Sequence, residues 1–415
     1  MAEQTTEQTC PQCGLDMPVD AGYPVWCTGC EWNVAPELFV YGLGGTAARR
    51  RELAGRHSEG TFEELAREGT RGRRARLTAS YVLSYALALM VHGLSFALLG
   101  AGVGLLVAGG GNPVAWAVGV PLVLLFLVLL PRFPRLGSRV PRLERADAPR
   151  LFGLIDEVAG EVGTRGVDVI VVDGRVNAGV HTYGLRQRVL HLGLGLWAVL
   201  TPQQKVALLG HELGHFAGGD TRHGSVVGSA LYTLRLWVEV LRPERWNGRV
   251  ARVLVALPLT PPHHAAQSVL SLLEKVSLRG FPRREYLADD LAAEVASTEG
   301  ARDLMETLLH AARIDDELHR LAADLSGPHE TLWAQLADRV AAVPPRERER
   351  LRRVSALEWH QQDATHPPTH LRVELLDRRG PSTPKVVLDR RTEKAVEREL
   401  RPSARRLART IAQER

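Results

Sequence analysis

Cysteine is almost absent from this chain of 415 residues: there are four, Cys10, Cys13, Cys27 and Cys30, and none follows. A disulfide framework spanning the molecule is therefore excluded. Charge is missing from a second stretch, since no Lys, Arg, Asp or Glu lies between Arg76 and Arg132. A soluble buried core would not stay uncharged for so long, and the run has room for two spans of about 20 residues. Internal repeats are also lacking. A secretory signal peptide is not expected, because the first residues are polar and include Glu3 and Glu7.

The four cysteines form Cys10-Pro11-Gln12-Cys13 and Cys27-Thr28-Gly29-Cys30, two CxxC knuckles separated by thirteen residues. That is zinc-ribbon spacing, and four thiolates close a coordination shell, so the expected zinc is structural. Two local disulfides are the bland alternative; CxxC pairs beside a basic segment expected to face the cytosol favour metal. So small a module has little core and would unfold without its ion. Val19–Trp32 carries no basic residue, while Trp26 and Trp32 offer a packing surface. A protein partner of the ribbon, or a regulatory role, is expected rather than nucleic-acid binding.

Within the uncharged run, Gly109-Gly110-Gly111-Asn112-Pro113 is a break, giving a hairpin of two spans, 78–108 and 114–130. His92 and Pro121 inside it read as packing and kink residues. Arg71, Arg73, Arg74 and Arg76 precede the first span, and Arg132, Arg135, Arg139, Arg142 and Arg145 follow the second. The positive-inside rule then places both flanks in the cytoplasm. These juxtamembrane arginines account for much of the net charge of +5 and pI near 9.2, and would attract anionic lipid headgroups. The mixed-charge segment 47–76 reads as a linker helix near the membrane.

The chemistry is signalled by His211-Glu212-Leu213-Gly214-His215. Residues four apart on a helix share a face, so both His can bind one zinc while Glu212 is placed to take a proton from water. The helical context is present. Thr201 reads as N-cap, Pro202 as the first helical residue and Gln204 as the other half of a capping box; Gly218-Gly219 supplies the stop. A third ligand is needed. The HExxHxxGxxH register fails, because Thr221 occupies the last position and His223 lies two residues beyond. A Glu from a later helix is the other solution, and Arg284-Glu285-Tyr286-Leu287-Ala288-Asp289 offers one. Glu285 would ligate, with Asp289 on the same face receiving the free N–H of a ligating His; read without context, Glu285 is a solvated helix charge.

Four ordered segments now resemble the membrane-embedded zinc metallopeptidases that include HtpX and the CAAX prenyl proteases. They are Asn177-Ala178, Gly210–His215 followed by Gly219-Asp220, Arg284–Asp289, and Thr365-His366-Pro367-Pro368 with Arg372 beyond, together covering 140–376 discontinuously. The resemblance implies that His211, His215 and Glu285 bind zinc, that Glu212 is the general base, and that His366 stabilises the oxyanion of a tetrahedral intermediate. Gly179 departs from the family pattern by replacing an aromatic residue, which puts the groove shape in question. For His366 the bland alternative is a helix-start residue before two prolines. Arg372 is read as the partner of a buried carboxylate, or else as a surface charge.

Elsewhere, an amphipathic helix is expected over 151–163 and strands over 167–172 and 189–192. An edge strand beside the HExxH helix would hold extended substrate by main-chain hydrogen bonds, with Asn177 and Ala178 contributing; Asn177 is equally a turn residue. Residues 225–241 read as an interfacial or groove-lining helix, since Arg235 and Glu239 argue against a lipid-exposed span. Residues 253–259, running into Pro261-Pro262, are too short to cross. His310, His319, His329 and His360 read as surface histidines, and the tail from Arg378 as partly disordered or peripheral.

The expected architecture is α+β: a predominantly α-helical integral membrane zincin. Its divisions are 1–40 zinc ribbon, 41–77 linker helix, 78–131 transmembrane hairpin, 132–377 cytoplasmic metallopeptidase domain and 378–415 charged tail. The expected activity is zinc-dependent cleavage of membrane-associated or misfolded proteins at the cytoplasmic face of the cell membrane. One catalytic and one structural zinc are expected, with protein substrate and the lipid bilayer as partners. The alternative is a catalytically idle membrane scaffold that binds partners through the ribbon; retention of Glu212 weighs against it.

Overall fold

The computed structural model describes residues 6–36, 58–69, 79–131, 135–137, 140–184, 186–243, 253, 256–324, 327–329, 331–357 and 366–413. Arg71, Arg73, Arg74, Arg76, Arg132, Arg139, His360 and most of the linker 41–77 lie outside the described residues. The protein is predominantly helical. Strands β1 (Thr6–Thr9) and β2 (Asp16–Val19) form an antiparallel pair at the N-terminus. A second sheet has the order β3-β4-β6-β5, built from β3 (Arg142–Leu143), β4 (Val169–Asp173), β5 (Ala178–Tyr183) and β6 (Gln187–Gly193). Here β4 and β6 run parallel while β5 is antiparallel to β6, so β5 is an edge strand.

The described part of the linker, 58–68, is a helix (α1) that lies against the helical body through Phe62 and Leu65. Helix α2 (Ala79–Ala108) is long and apolar enough to cross a membrane, whereas α3 (Pro113–Leu129) is apolar but shorter. Asn112 caps α3 by accepting from the Val114 N–H at 2.9 Å. Outward-facing Val82, Leu89, Met90, Leu94 and Phe96 on α2, and Trp116, Leu124 and Leu127 on α3, leave a broad exposed apolar surface. The inner face of α2 packs through Ala88 and Val91 on Val227, Ala230 and Leu234 of α7 (Asp220–Val240) and on Leu273. Polar side chains pin the same seam: Ser84 Oγ lies 2.9 Å from His223 Nε2, and Ser229 Oγ 3.0 Å from His92 Nε2.

The main core joins α4 (Pro149–Val162), the inner face of the sheet, the short α5 (Leu194–Trp197) and α6 (Pro202–Ala217) to helices that come much later in the chain. Leu273 belongs to the longest of these, α8 (Leu257–Ala296), which runs for 40 residues. Pro261 and Pro262 fall in its second turn without ending it. Near a helix N-terminus few backbone N–H groups have a partner to lose, and the hydrogen-bond contact of His263 Nδ1 with the Val238 carbonyl, at 3.1 Å, ties this turn to α7.

Two expectations are corrected. The tail is ordered: α14 (Arg390–Gln413) buries Val396, Leu400 and Ala408 in the main core. Its Glu399 accepts from the Arg150 and Leu151 N–H groups at the start of α4, whose own N-cap residue, Ala148, has no side-chain oxygen to offer. Lys205, buried on α6, pairs with Glu393 of α14 at 2.7 Å. High charge hid an amphipathic stripe.

His310, expected at the surface, is buried, 5% exposed, just before α10 (Ala311–Ala323). Burial, with the nearby Arg313, Arg348 and Arg350 charges, pushes its imidazole down to about 4. The unfolded chain then binds a proton that the folded chain refuses. Stability is expected to fall as pH drops from 6.5 toward 4, at up to about 1.4 kcal/mol per unit. Thermal melts of the parent and His310→Gln across this window should converge at acid pH; parallel melting curves would contradict the assignment.

Candidate metal centre

Helix α6 begins as its sequence prescribes. The Thr201 side chain accepts from the Gln204 N–H, and Gln204 Oε1 accepts from the Thr201 N–H at 2.8 Å, closing a reciprocal capping box. The helix ends at Gly218, so His211 and His215 sit one turn apart in its last two turns. Its partner α8 approaches closely because α6 offers two glycines at the crossing. A Cβ at Gly210 would lie 3.1 Å from Ala292 Cα, and one at Gly214 3.3 Å from Ala288 Cα. Small residues on both helices thus bring the Glu285/Asp289 face of α8 against the His211/His215 face of α6.

His211 Nε2 lies 3.5 Å from Glu285 Oε2, and His215 Nε2 lies 3.5 Å from Glu285 Oε1. The donor atoms of these three residues all fall within 4.8 Å of one another. A tetrahedral zinc with bonds near 2.0–2.1 Å would separate its ligand atoms by about 3.3 Å, close to what is seen. Glu285 Oε2 is moreover buried, and the nearest nitrogens to it, His366 Nε2 at 3.3 Å and His211 Nε2 at 3.5 Å, are long contacts, so a cation would stabilise its charge. The residues fit a zinc ion. Glu212, next to His211, is 7% exposed.

Behind the ligands, His211 Nδ1 lies 2.9 Å from Asp289 Oδ1. Asp289 in turn accepts two hydrogen bonds from Arg372, Nε to Oδ2 at 2.8 Å and Nη2 to Oδ1 at 2.6 Å. Arg372 is 1% exposed and sits on α13 (Thr369–Arg379). Burial opposes each of these charges, but their mutual pairing prevails. The His211 imidazole is pushed up to about 10 by Asp289 and Glu285, and Asp289 is held down to about 2 by Arg372 and His211. Glu285 is held well below the usual carboxylate range by the surrounding His366, His215 and His211. An imidazole oriented in this way by a carboxylate is the arrangement metal-binding histidines use.

His366, just ahead of α13, places Nε2 3.3 Å from Glu285 Oε2. It lies at the cluster and not merely at a helix start. Asn177 and Ala178 lie at the near end of β5, which runs along α6 and α7; Ser225 Oγ donates to the Thr182 carbonyl at 3.2 Å. The Asn177 carbonyl accepts from Gly193 N–H at 3.0 Å, and its side chain accepts from the Ala178 N–H at 2.9 Å, so it shapes the turn into the strand. Gly179 stands opposite His191.

Sequence reasoning missed two features. Asp290, beside Asp289, pairs with Arg379 at 2.6 Å, both buried; Arg372 and Arg379 are seven apart on α13, so two arginines of one face meet two consecutive acids of α8. The spacing was visible, its partner was not. His181 on β5 is exposed, yet crowding pushes its imidazole below the usual range while the Glu212 carboxylate pulls the other way. The alternation His181, Tyr183 on one strand and His191 on the next was the available signal, and Tyr183 Oη indeed lies 3.0 Å from His191 Nε2.

The sequence profile described as "Peptidase family M48" matches residues 146–380, which span the whole cluster from α4 to the end of α13. The chain belongs to peptidase family M48. Its M48 region is similar to three curated proteins named "Protease HtpX homolog". The one from Pyrobaculum aerophilum is 26% identical over 239 residues, 55% of this chain and 67% of that protein. Those from Pyrobaculum calidifontis and Pyrobaculum islandicum are 24% and 25% identical over 238 and 244 residues, with the same coverage. No solved structure matches significantly. Membership of M48 makes this chain a metallopeptidase. The ribbon lies outside the M48 match. Its thiols are unbridged, with Cys10 Sγ 3.6 Å from Cys30 Sγ and Cys13 Sγ 3.4 Å from Cys27 Sγ. A zinc held by four bonds of about 2.3 Å sets its sulfurs about 3.8 Å apart, close to what is seen.

Proposed function

We propose that this M48 metallopeptidase is a membrane-anchored zinc endopeptidase that cleaves membrane-associated or misfolded proteins at the cytoplasmic face. The observation that carries the reading is the convergence of His211, His215 and Glu285, backed by the Asp289–Arg372 pair and flanked by His366, beside the edge strand β5.

Zinc bound there would polarise a scissile carbonyl and acidify water. His211, His215 and Glu285 hold it, and Asp289 fixes the His211 ring by taking its Nδ1 proton in a hydrogen bond. Glu212 accepts the proton of the attacking water and passes it to the departing amine. His366 donates to the oxygen that gains charge as the carbonyl is attacked. An extended substrate adds to the free edge of β5, where Asn177 and Ala178 set the strand's start.

The membrane reading rests on α2, the exposed apolar surface it shares with α3, and the arginines that flank the pair. A hairpin with both ends cytoplasmic keeps the ribbon and the peptidase centre on one side. A lipid surface and a polypeptide substrate are then the partners, and the ribbon holds a second, structural zinc.

Metal counting tests the scheme directly. The purified full chain in detergent is expected to hold two zinc ions, and Glu285→Ala one. Removal of the labile ion by a chelator should stop casein cleavage, and zinc should restore it. A parent chain with one zinc, unaltered by Glu285→Ala, would leave the ribbon as the metal site and refute the catalytic centre.

A further inference from the structure

Trp26 stands next to Cys27 of the ribbon's four-cysteine cluster and packs on the body of the peptidase. It is fully buried, packed with Val34, Ala35 and Val354. Val354 belongs to α12 (Pro345–Leu357), and three arginines of that helix reach across to the ribbon backbone. Arg346 donates to the Trp26 carbonyl, Arg350 Nη1 to the Val34 carbonyl at 2.8 Å, and Arg353 Nη1 to the Thr28 carbonyl at 2.9 Å. The guanidinium carbons of Arg346 and Arg353 lie 5.4 and 5.0 Å from the centre of the indole ring, within cation–π range. Arg350 is 3% exposed and forked onto the buried Glu347 at 2.7 and 3.0 Å. Thr28 lies inside the second CxxC knuckle, so the carbonyls that α12 reads are presented by a turn whose shape depends on the cysteine cluster.

Helix α12 leads along the chain to His366 and α13. It also touches α13 directly, where His370 hydrogen-bonds to the backbone of Ser355. The ribbon therefore grips a helix that packs directly on α13, the helix that carries Arg372 and begins just after His366.

We propose that the ribbon is a positioning element of the peptidase centre: Trp26, clasped by Arg346, Arg350 and Arg353, holds α12 so that His366 stays at its place beside Glu285. Trp26 touches no substrate and acts through His366. The inference rests on the catalytic role proposed above for His366. It gives the apolar surface of the ribbon an occupant from the same chain.

The test uses the full chain in detergent, with Trp26→Ala, Trp26→Phe, His366→Ala and the double variant Trp26→Ala/His366→Ala. Hydrogen exchange across 345–357 and 366–379, zinc content and peptide-cleavage kinetics are read together. In Trp26→Ala, exchange is expected to rise in both segments with two zinc ions retained. Its kcat should fall about tenfold at nearly unchanged KM, part of the roughly 10²–10³ that a whole oxyanion donor contributes. Trp26→Phe should restore kcat, and in the His366→Ala background Trp26→Ala should cost little more. Should Trp26→Ala lose zinc, Arg353→Gln at the rim of the clasp provides the milder disturbance, with a smaller fall of the same kind. Unchanged kcat despite raised exchange, or equal losses by Trp26→Ala with and without His366, would overturn the positioning role while leaving the function of His366 intact. No effect of His366→Ala itself would overturn both.

Discussion

Glu212→Ala is expected to lower kcat/KM for peptide cleavage by about 10²–10⁴, the range a positioned general acid–base group supplies, while leaving zinc bound. The geometry separates the two readouts. The cluster able to hold a metal is formed by His211, His215 and Glu285, and Glu212 is not among them. Its neighbour His211 is held by Asp289 through Nδ1 and so keeps its orientation when the adjacent side chain is cut back. Peptide-cleavage kinetics and zinc analysis on the same preparation decide the matter. Activity within a few-fold of the parent would show that Glu212 does not handle the proton. Loss of metal with activity would show that it supports the site structurally.

Arg372→Ala should be the most damaging substitution away from the ligands. Arg372 is fully enclosed and forked onto Asp289, and its Nη2 also lies 3.9 Å from Glu285 Oε2. Removing it leaves two buried carboxylates facing each other across His211. Breaking a buried ion pair from one side costs about 3–5 kcal/mol, and losing the residue that orients a ligand's carboxylate lowers metal affinity by about 10–100-fold. Thermal unfolding with saturating zinc isolates the first effect and competitive zinc titration the second. Arg378→Ala is the internal control. It removes a solvent-exposed partner of Glu374 on the same helix that also lies 4.9 Å over the Phe62 ring, contacts worth about 1 kcal/mol each at most. Equal Tm shifts for the two variants would mean that the Asp289–Arg372 pair does not bind the helices together.

The catalytic helix was legible in the sequence because metal spacing, N-cap chemistry and a glycine stop all speak through residues close together in the chain. The apolar pair α2 and α3 was legible for the same reason, as an unbroken absence of charge. What escaped was pairing between distant segments. Gly210 and Gly214 read as ordinary members of a motif, but their work is to admit Ala288 and Ala292. The burial of His310 and the capping of α4 by Glu399 likewise depend on residues far along the chain. The tail shows how composition misleads: Val396, Leu400 and Ala408 keep a helical period inside a charged segment, and period outweighs charge when one face has a core to meet. The reach of α8 was hidden because Pro258, Pro261 and Pro262 all fall in its first two turns, where few backbone N–H groups have a partner to lose.

The peptidase centre is assembled from α6, α8 and α13, and the first helix of its core, α4, is capped by Glu399 from the last one. The chain therefore emerges from the ribosome with its ribbon and apolar helices made long before the centre can close. Arg372 must appear to neutralise Asp289, and α14 must follow to seal the core. Until α13 has been made, Asp289 stands on α8 without its arginine, so the cluster shared by α6 and α8 is completed by a segment made after both.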